Sequence, residues 1–569
     1  MVLPTSPPNP MSVGSNIYPE FGITALTTKY ISRDLFPLVG GTASTQCFLG
    51  ASFSGKSGGT KVGYSTIKGT ATDTGQSIAV DSAGNIYITG LYQSTTTVPI
   101  NTFGATPTAS GVSLPITTGV DAFVIKWLAN GTVAGYTNIK GNGTDTGQSI
   151  TVDSAGNIYI TGRYTSTTTV PINTFGTAPA ASGVSLPITT GTDAFVIKWN
   201  AVGGTVAGYS TIKGSGTDIG YGIAVDSSQN IYITGQYQST AAVQINTFGT
   251  APTFSGLTLP ITLGLDAFVI KWLANGTVAG YTNLRGTGTA TDTGQSIAVD
   301  SAGNIYITGQ YNTGGTAPIN TFGTAPAASG VSMPGTTGVD AFVIKWNGSG
   351  GTVAGYTNIK GSSADIGYGI AVDSSQNIYI TGNYNSITTV PINTFGTAPA
   401  ASGVSLPISL GLDAFVIKWN AVGGTVAGYS TIKGDGTDVG NGIAVDSSQN
   451  IYITGQYQST AVVPINTFGT APSASGFNLP TVPGVETRGF VIKWSGSTGA
   501  VLAWTNIGGA GTNAGNGIAV DSSQNLYVAG QYQATAVVPI NTFGTAPVAS
   551  GVSMPITTGI DAFVIKWIP

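Results

Sequence analysis

Gly75–Gly90 reads GQSIAVDSAGNIYITG, and this stretch decides the fold because the chain repeats it, with small changes, seven times. Its aspartate falls at Asp81, Asp153, Asp226, Asp300, Asp373, Asp446 and Asp521, at spacings of 72 to 75 residues. A short apolar run, an Asp/Gly turn and a second run rich in Ile, Tyr and Thr is hairpin chemistry. A second phrase, DAFVIKW, ends at Trp127, Trp199, Trp272, Trp346, Trp419, Trp494 and Trp567. Its residues are apolar on both alternating faces, as in a sheet covered on two sides. A regular period of this length marks a repeat architecture.

Each unit reads as four strands: 78–81, 85–92, 122–127 and, after an Asn130-Gly131 turn, 132–140. No unit carries an amphipathic helical pattern. Seven four-stranded units of this kind describe a seven-bladed, all-β propeller. The last unit stops at DAFVIKWIP, 561–569, without a fourth strand. Residues 60–69, TKVGYSTIKG, match the fourth strand TVAGYSTIKG at 205–214 without the three that should precede it. The two fragments are complementary. The N-terminal strand is therefore expected to complete the last blade and close the ring, leaving no open edge. The domains are then a non-repeating arm and Gly/Ser linker over 1–58 and a propeller over 59–569.

The hairpin and DAFV words, joined by a loop and a last strand, resemble the bacterial beta-propeller repeat known as SBBP over about residues 60–569. The middle loop here is longer and carries INTFGT. The resemblance implies the propeller fold and extracellular or surface settings, and it implies no common enzymatic activity.

Composition narrows function. Charged residues are 7% of the chain, against about 25% in ordinary soluble proteins. The net charge is −4, with no basic run, so no nucleic-acid partner is expected. There is no histidine, and Cys47 is the single cysteine, which excludes His-dependent catalysis, an internal disulfide and a Cys-based zinc site. No apolar stretch is long enough to span a bilayer, and the N-terminus has no secretory signal pattern. Neither cofactor nor metal is expected. An enzyme is not expected either: nearly every polar residue is repeated sevenfold, whereas a reaction needs different groups in different roles. The irregular stretches are TVPGVETRGF, with Glu486 and Arg488, and GAVLAWTNIGGAGTNAG, with Trp504.

In such a blade the loop between the second and third strands lies on the same face as the link to the next blade. That face is expected to carry seven long loops, and long loops on one face are where repeat proteins place function. The candidate contact residues are the INTFGT phenylalanines, Phe103, Phe175, Phe248, Phe322, Phe395, Phe468 and Phe543. Packing down onto the blade is their structural alternative. The links carry Asp73, Asp145, Asp218, Asp292, Asp365 and Asp438, with Asn513 in the seventh place. These are read as Asx-turn formers in preference to calcium ligands. Lys126 and its equivalents are read as stems packed between blades with the amine at the rim.

The arm offers Tyr18, Phe21, Tyr30, Leu35 and Phe36 as an anchor, too few for a core of their own. This segment is similar to N-terminal segments of phage and large-virus structural proteins. The expectation is a non-enzymatic structural or attachment protein of a virion surface or tail. Its arm would bind protein partners in a larger assembly, and the propeller would present its loop-rich face. The alternative is a bacterial secreted or cell-surface propeller that binds glycans or proteins.

Overall fold

The computed structural model describes residues 61–568, apart from 287–290, 337 and 410. The proposed anchor residues Tyr18, Phe21, Tyr30, Leu35 and Phe36 lie outside them. All regular structure in the described residues is β, and no helix there is long and apolar enough to cross a membrane.

The chain enters through β1 (Lys61–Ile67) and then builds the first blade from β2 (Thr74–Val80), β3 (Ile86–Tyr92), β6 (Asp121–Trp127) and β7 (Val133–Ile139). Between β3 and β6 stand two strands that the sequence reading took for loop, β4 (Val98–Asn101) and β5 (Ala109–Leu114). Each unit thus has six strands, four in the blade and two in an added hairpin. The last blade orders as β1, then Asp561–Ile568, Leu526–Tyr532 and Ala514–Val520, all hydrogen-bonded neighbours. The N-terminal strand therefore completes the seventh blade.

Each blade is apolar on both faces because the third strand alternates. Phe123, Ile125 and Trp127 pack with Tyr527, Ala529, Ala562 and Val564 of the last blade. Ala122 and Val124 face the other way, toward Ile158, Ile160 and Phe195 of the second blade. Repeated around the ring, this gives seven apolar layers, one at every seam between blades. The innermost strands each touch the next around the axis. A register shift between Gly75 and Ser77 leaves Gln76 out of the ladder at that inner wall. Gly90 on the second strand admits this close packing, since a Cβ there would strike the Thr74 carbonyl and crowd Phe123.

The added hairpin corrects the expectation of a loop crown. It leaves the loop-bearing end of its own blade and runs outside the ring as a strap. Tyr64 of the outer strand of one blade and Gly104 of the next unit's strap exchange N–H···O=C bonds of 2.9 and 3.1 Å. Equivalent bridges recur at all seven seams, the last being Trp504 with Gly544. The strap then reaches the far end of its own blade, where Phe103 N–H donates to the Gly131 carbonyl at 2.8 Å and the Trp127 indole N–H donates to the Asn101 carbonyl at 2.8 Å. The strap thus covers the outer edge that a four-stranded blade would leave open.

Gly131 is held at φ +87, and a Cβ on it would drive into the Phe103 carbonyl. Gly131→Ala is expected to destabilise the strap by about 2–4 kcal/mol through the positive φ and the lost Phe103 hydrogen bond. Thermolysin should then cut between Asn101 and Ala109 faster than in the six unaltered straps. Unchanged cleavage would show that the strap is held by other contacts.

Candidate functional site

The INTFGT phenylalanines are all half-buried. Phe103 lies 6.3 Å from the Trp127 ring, and Phe543 stands at the same distance from Trp567. They sit at the tip of the strap, at the tight-turn end of the blade wall. The sequence reading had placed them on the loop-bearing face.

That face carries different residues. Ile116, Ile188, Ile261, Ile408 and Ile556 occupy equivalent positions just before the third strand, and each is 48–52% exposed. The amine of the outer-strand lysine braces the carbonyl beneath, as Lys140 does on Ile116 at 2.6 Å and Lys68 does on Ile556. The result is five apolar side chains at seven equivalent positions, interrupted by Gly335 and Thr481, on a low-charge rim that also exposes Leu263, Ile387 and Val485.

Under this rim is a group that only the fold assembles. Asp145 in the link accepts N–H bonds from Gly141 and from Thr165, the latter at 3.0 Å. The first is the local turn that the sequence suggested. The second reaches twenty residues onward to the start of the next strap. Beside it lies Asp121, fully buried, and neither of its carboxylate oxygens has a hydrogen-bond partner among the described residues. Lys140 completes a triad of two carboxylates and one amine. Burial, and then the neighbouring Asp145 charge, push the Asp121 carboxyl up to about 7 against the pull of Lys140. The same triad stands at Asp193–Asp218–Lys213, Asp340–Asp365–Lys360 and Asp561–Asp73–Lys68, and with a guanidinium in place of the amine at Asp266–Asp292–Arg285. At Asp413–Asp438–Lys433 the amine comes to 3.4 Å, and the Asp413 carboxyl rises only to about 6. Two carboxylates this deep cannot both stay charged at low cost, so burial favours a shared proton on the pair. Among the described residues, no three potential ligands come together as a metal site.

The seam after the sixth blade breaks the pattern at all three places at once. Arg488 replaces the third-strand aspartate, Gly508 the outer-strand lysine and Asn513 the link aspartate. Asn513 keeps the bond from Gln533 N–H through its carbonyl oxygen at 3.1 Å. It spends its amide donors on Thr487, Gly509 and Gly511 carbonyls.

On the tight-turn face the turn between the first two strands of the blade keeps the same bonds in every unit, whereas the turn between the last two varies in length. Asp81 accepts from Ala83 N–H, Asn85 N–H, the Asn85 amide and the Tyr87 hydroxyl, at 2.8–3.0 Å. These bonds hold the Asp81 carboxyl below its ordinary value despite its partial burial. Lys126 lies along the blade with its ammonium 4.7 Å from the Tyr87 ring centroid, and a cation–π contact of this kind recurs in every blade. The lysines are therefore turn braces rather than free rim charges.

The axis is where the units differ. The bulged residue of each inner strand turns into a central cavity of about 350 Å³. In order around the ring the seven are Gln76, Gln148, Tyr221, Gln295, Tyr368, Asn441 and Asn516. Neither a carboxylate nor a cation lines this cavity. The two asparagines are tied back to the wall: Asn441 donates to the Gly515 carbonyl and Asn516 to the Gly75 carbonyl, each at 3.0 Å. Burial raises both tyrosine hydroxyls, while the Arg163 charge nearby pulls Tyr221 down, and Tyr368 feels Tyr221. The sequence reading did not single out these seven positions. The signal was there as GQSI, GYGI and GNGI in otherwise constant surroundings.

A family model described as Beta-propeller repeat, SBBP, matches residues 64–91, 135–163, 206–236, 280–310, 355–386 and 427–456. Each match takes the outer strand of one blade and the first two strands of the next. The chain carries SBBP propeller repeats. The six matched stretches fall on six of the seven seams, and the other seam is the one with Arg488, Gly508 and Asn513. An uncharacterized WD repeat-containing protein of Acanthamoeba polyphaga mimivirus is 27% identical over 515 residues, covering 83% of this chain and 36% of the relative. The chain thus spans about a third of that relative's length. Among solved structures, a GH43_12 retrieved from capybara gut metagenome is 9% identical with a TM-score of 0.16, over 90% of this chain and 99% of that one. A likeness that slight carries no argument.

Proposed function

We propose that the protein is a non-enzymatic interaction propeller of a virus particle, held in the assembly by residues 1–58 and presenting its loop-bearing face to a protein or host surface. The observation that carries this reading is the set of half-exposed isoleucines on that face, Ile116 and its four equivalents. Exposed apolar side chains at repeated positions on a low-charge rim suit a docking partner better than a freely solvated surface. The likeness to a mimivirus protein supports the viral setting. The second reading, a secreted or surface propeller that binds glycans, draws support from the amides and phenols at the axis.

Quantitative mass spectrometry of purified particles, cell envelope and medium separates the two. The particle reading expects enrichment in particles at fixed stoichiometry to a capsid or tail protein. It also expects a chain lacking residues 1–58 to keep its β circular dichroism and lose at least about tenfold in incorporation. Enrichment in envelope or medium, or full incorporation without the arm, overturns it.

A further inference from the structure

In a chain that repeats its buried residues seven times, a position that varies within a constant frame is informative. The axial bulge is such a position. Its flanks are held by the ladder on both sides, so the backbone delivers seven side chains to one level whatever they are. What is delivered is uneven. Tyr221 and Tyr368 stand two blades apart with Gln295 between them, and the ring order sets Asn516 and Gln76 across the axis. The asparagine amides are tied to the wall, and the Gln148 amide donates to Thr146 Oγ1 at 3.2 Å. The cavity is thus a cleft with an aromatic side and an amide side, inside the range of about 300–1,000 Å³ typical of small-ligand sites.

We propose that this axial cleft binds a short, uncharged saccharide. The statement rests on the reading of the protein as a binding module and names a ligand for one part of it. Three arguments select the class. First, the lining has no charge, so an ionic ligand would lose its hydration without a counter-charge. Second, glutamine amides and tyrosine hydroxyls each offer both donors and acceptors, which matches adjacent sugar hydroxyls that do the same. Third, Tyr221 and Tyr368 with the lining isoleucines Ile223 and Ile370 supply apolar surface for the C–H face of a pyranose ring. A peptide would also satisfy amides, and the lining isoleucines such as Ile223 and Ile370 would meet its apolar side chains, but its charged groups find no counter-charge there and its backbone lacks the adjacent hydroxyls that pair with mixed donors and acceptors.

The full chain is titrated by calorimetry and saturation-transfer NMR with four probes: lactose, maltose, cellobiose and N,N′-diacetylchitobiose. A neutral peptide library is run alongside. The expected result is saturable binding of at least one disaccharide, with Kd between about 10 μM and 1 mM. Tyr221→Ala and Tyr368→Ala should each weaken it about tenfold or more, while Tyr221→Phe keeps most of it. Both tyrosines border the cavity, so the thermal melt of each variant should match the parent; it also serves as the folding control. No saturable binding by any of the four sugars, binding by peptides alone, or sugar binding that survives the Tyr221→Ala/Tyr368→Ala pair would overturn the proposal. Particle incorporation is read separately, so failure of the sugar site leaves the assembly reading standing, and the reverse.

Discussion

Between pH 5 and pH 8 the melting temperature of the propeller is expected to fall by roughly 5–10 °C. The cause is the set of six buried carboxylate pairs. In Asp121, Asp193, Asp266, Asp340 and Asp561 the folded carboxyl is raised to about 7, and in Asp413 to about 6, chiefly by burial. A carboxyl raised on folding favours the protonated, folded state. Its contribution is complete below the ordinary value near 4 and is lost as pH climbs through the folded value. With the nearby amine offsetting part of the burial cost, about 1–2 kcal/mol per seam is a fair magnitude. The turn carboxylates work in the opposite direction. Asp81, Asp153, Asp226 and Asp521 are held low by their hydrogen bonds, so their contribution is lost on acidification. Maximum stability therefore lies between about pH 4 and 6. Replacing Asp121, Asp193, Asp266, Asp340, Asp413 and Asp561 together by Asn should flatten the decline above pH 6. A melting temperature that is constant or rising from pH 5 to pH 8 in the parent would contradict the shared-proton account. The seam with Arg488 and Asn513 is an internal control, since its substitutions remove both carboxylates.

The second large effect concerns the N-terminal strand. A chain beginning at Thr70 loses β1, and with it buried Val62 and Ile67 and the outer partner of Asp561–Ile568. Two buried aliphatic side chains and the exposed ladder amount to about 5 kcal/mol or more, a large part of a normal domain's stability. Hydrogen exchange in 561–568 should then accelerate by about a thousandfold relative to the equivalent 121–127, and the open edge should promote association. A peptide of residues 60–69 supplied in trans should restore protection. Equal exchange rates in the two segments of the truncated chain would mean that β1 is dispensable.

Much of this architecture could be read from the sequence. The hairpin words, their period and the matching fragments at 60–69 and 561–569 were enough for the blade count and for closure. They state local chemistry: turns, alternation and strand identity. The strap was missed because VPIN and ASGVSL are short, with proline or glycine inside, and each is a strand only when paired with the other against the outer strand of the preceding blade. The phenylalanines were misplaced for the same reason, since the path of the strap could not be read from the spacing. The aspartate triads were half legible. Asp121 and Asp145 were each visible as repeats, but 24 positions apart in sequence, and only the turn between blades brings them together. Arg488 and Asn513 were noticed separately; their meeting at one seam with Gly508 is a fact of the fold. The axial ring is not legible in the repeat, because its information lies in the residues that vary within a constant frame.

The axis, the loop-bearing face and the seven seams all exist only if the ring closes through β1. Disulfide trapping tests that most directly. In a Cys47→Ser background, Ser65→Cys and Val564→Cys place two thiols at the closing seam, at positions equivalent to the paired Thr137 and Val124 of the first blade. Directly opposed strand residues lie about 4.5–5.5 Å apart, within the range for a disulfide. Oxidation should give a monomer without free thiols, more compact on a non-reducing gel. It should be stabilised by about 6 kcal/mol through a closed loop of about 500 residues. Free thiols after oxidation, or disulfide-linked dimers in place of the monomer, would show that the first strand does not close the seventh blade of its own chain.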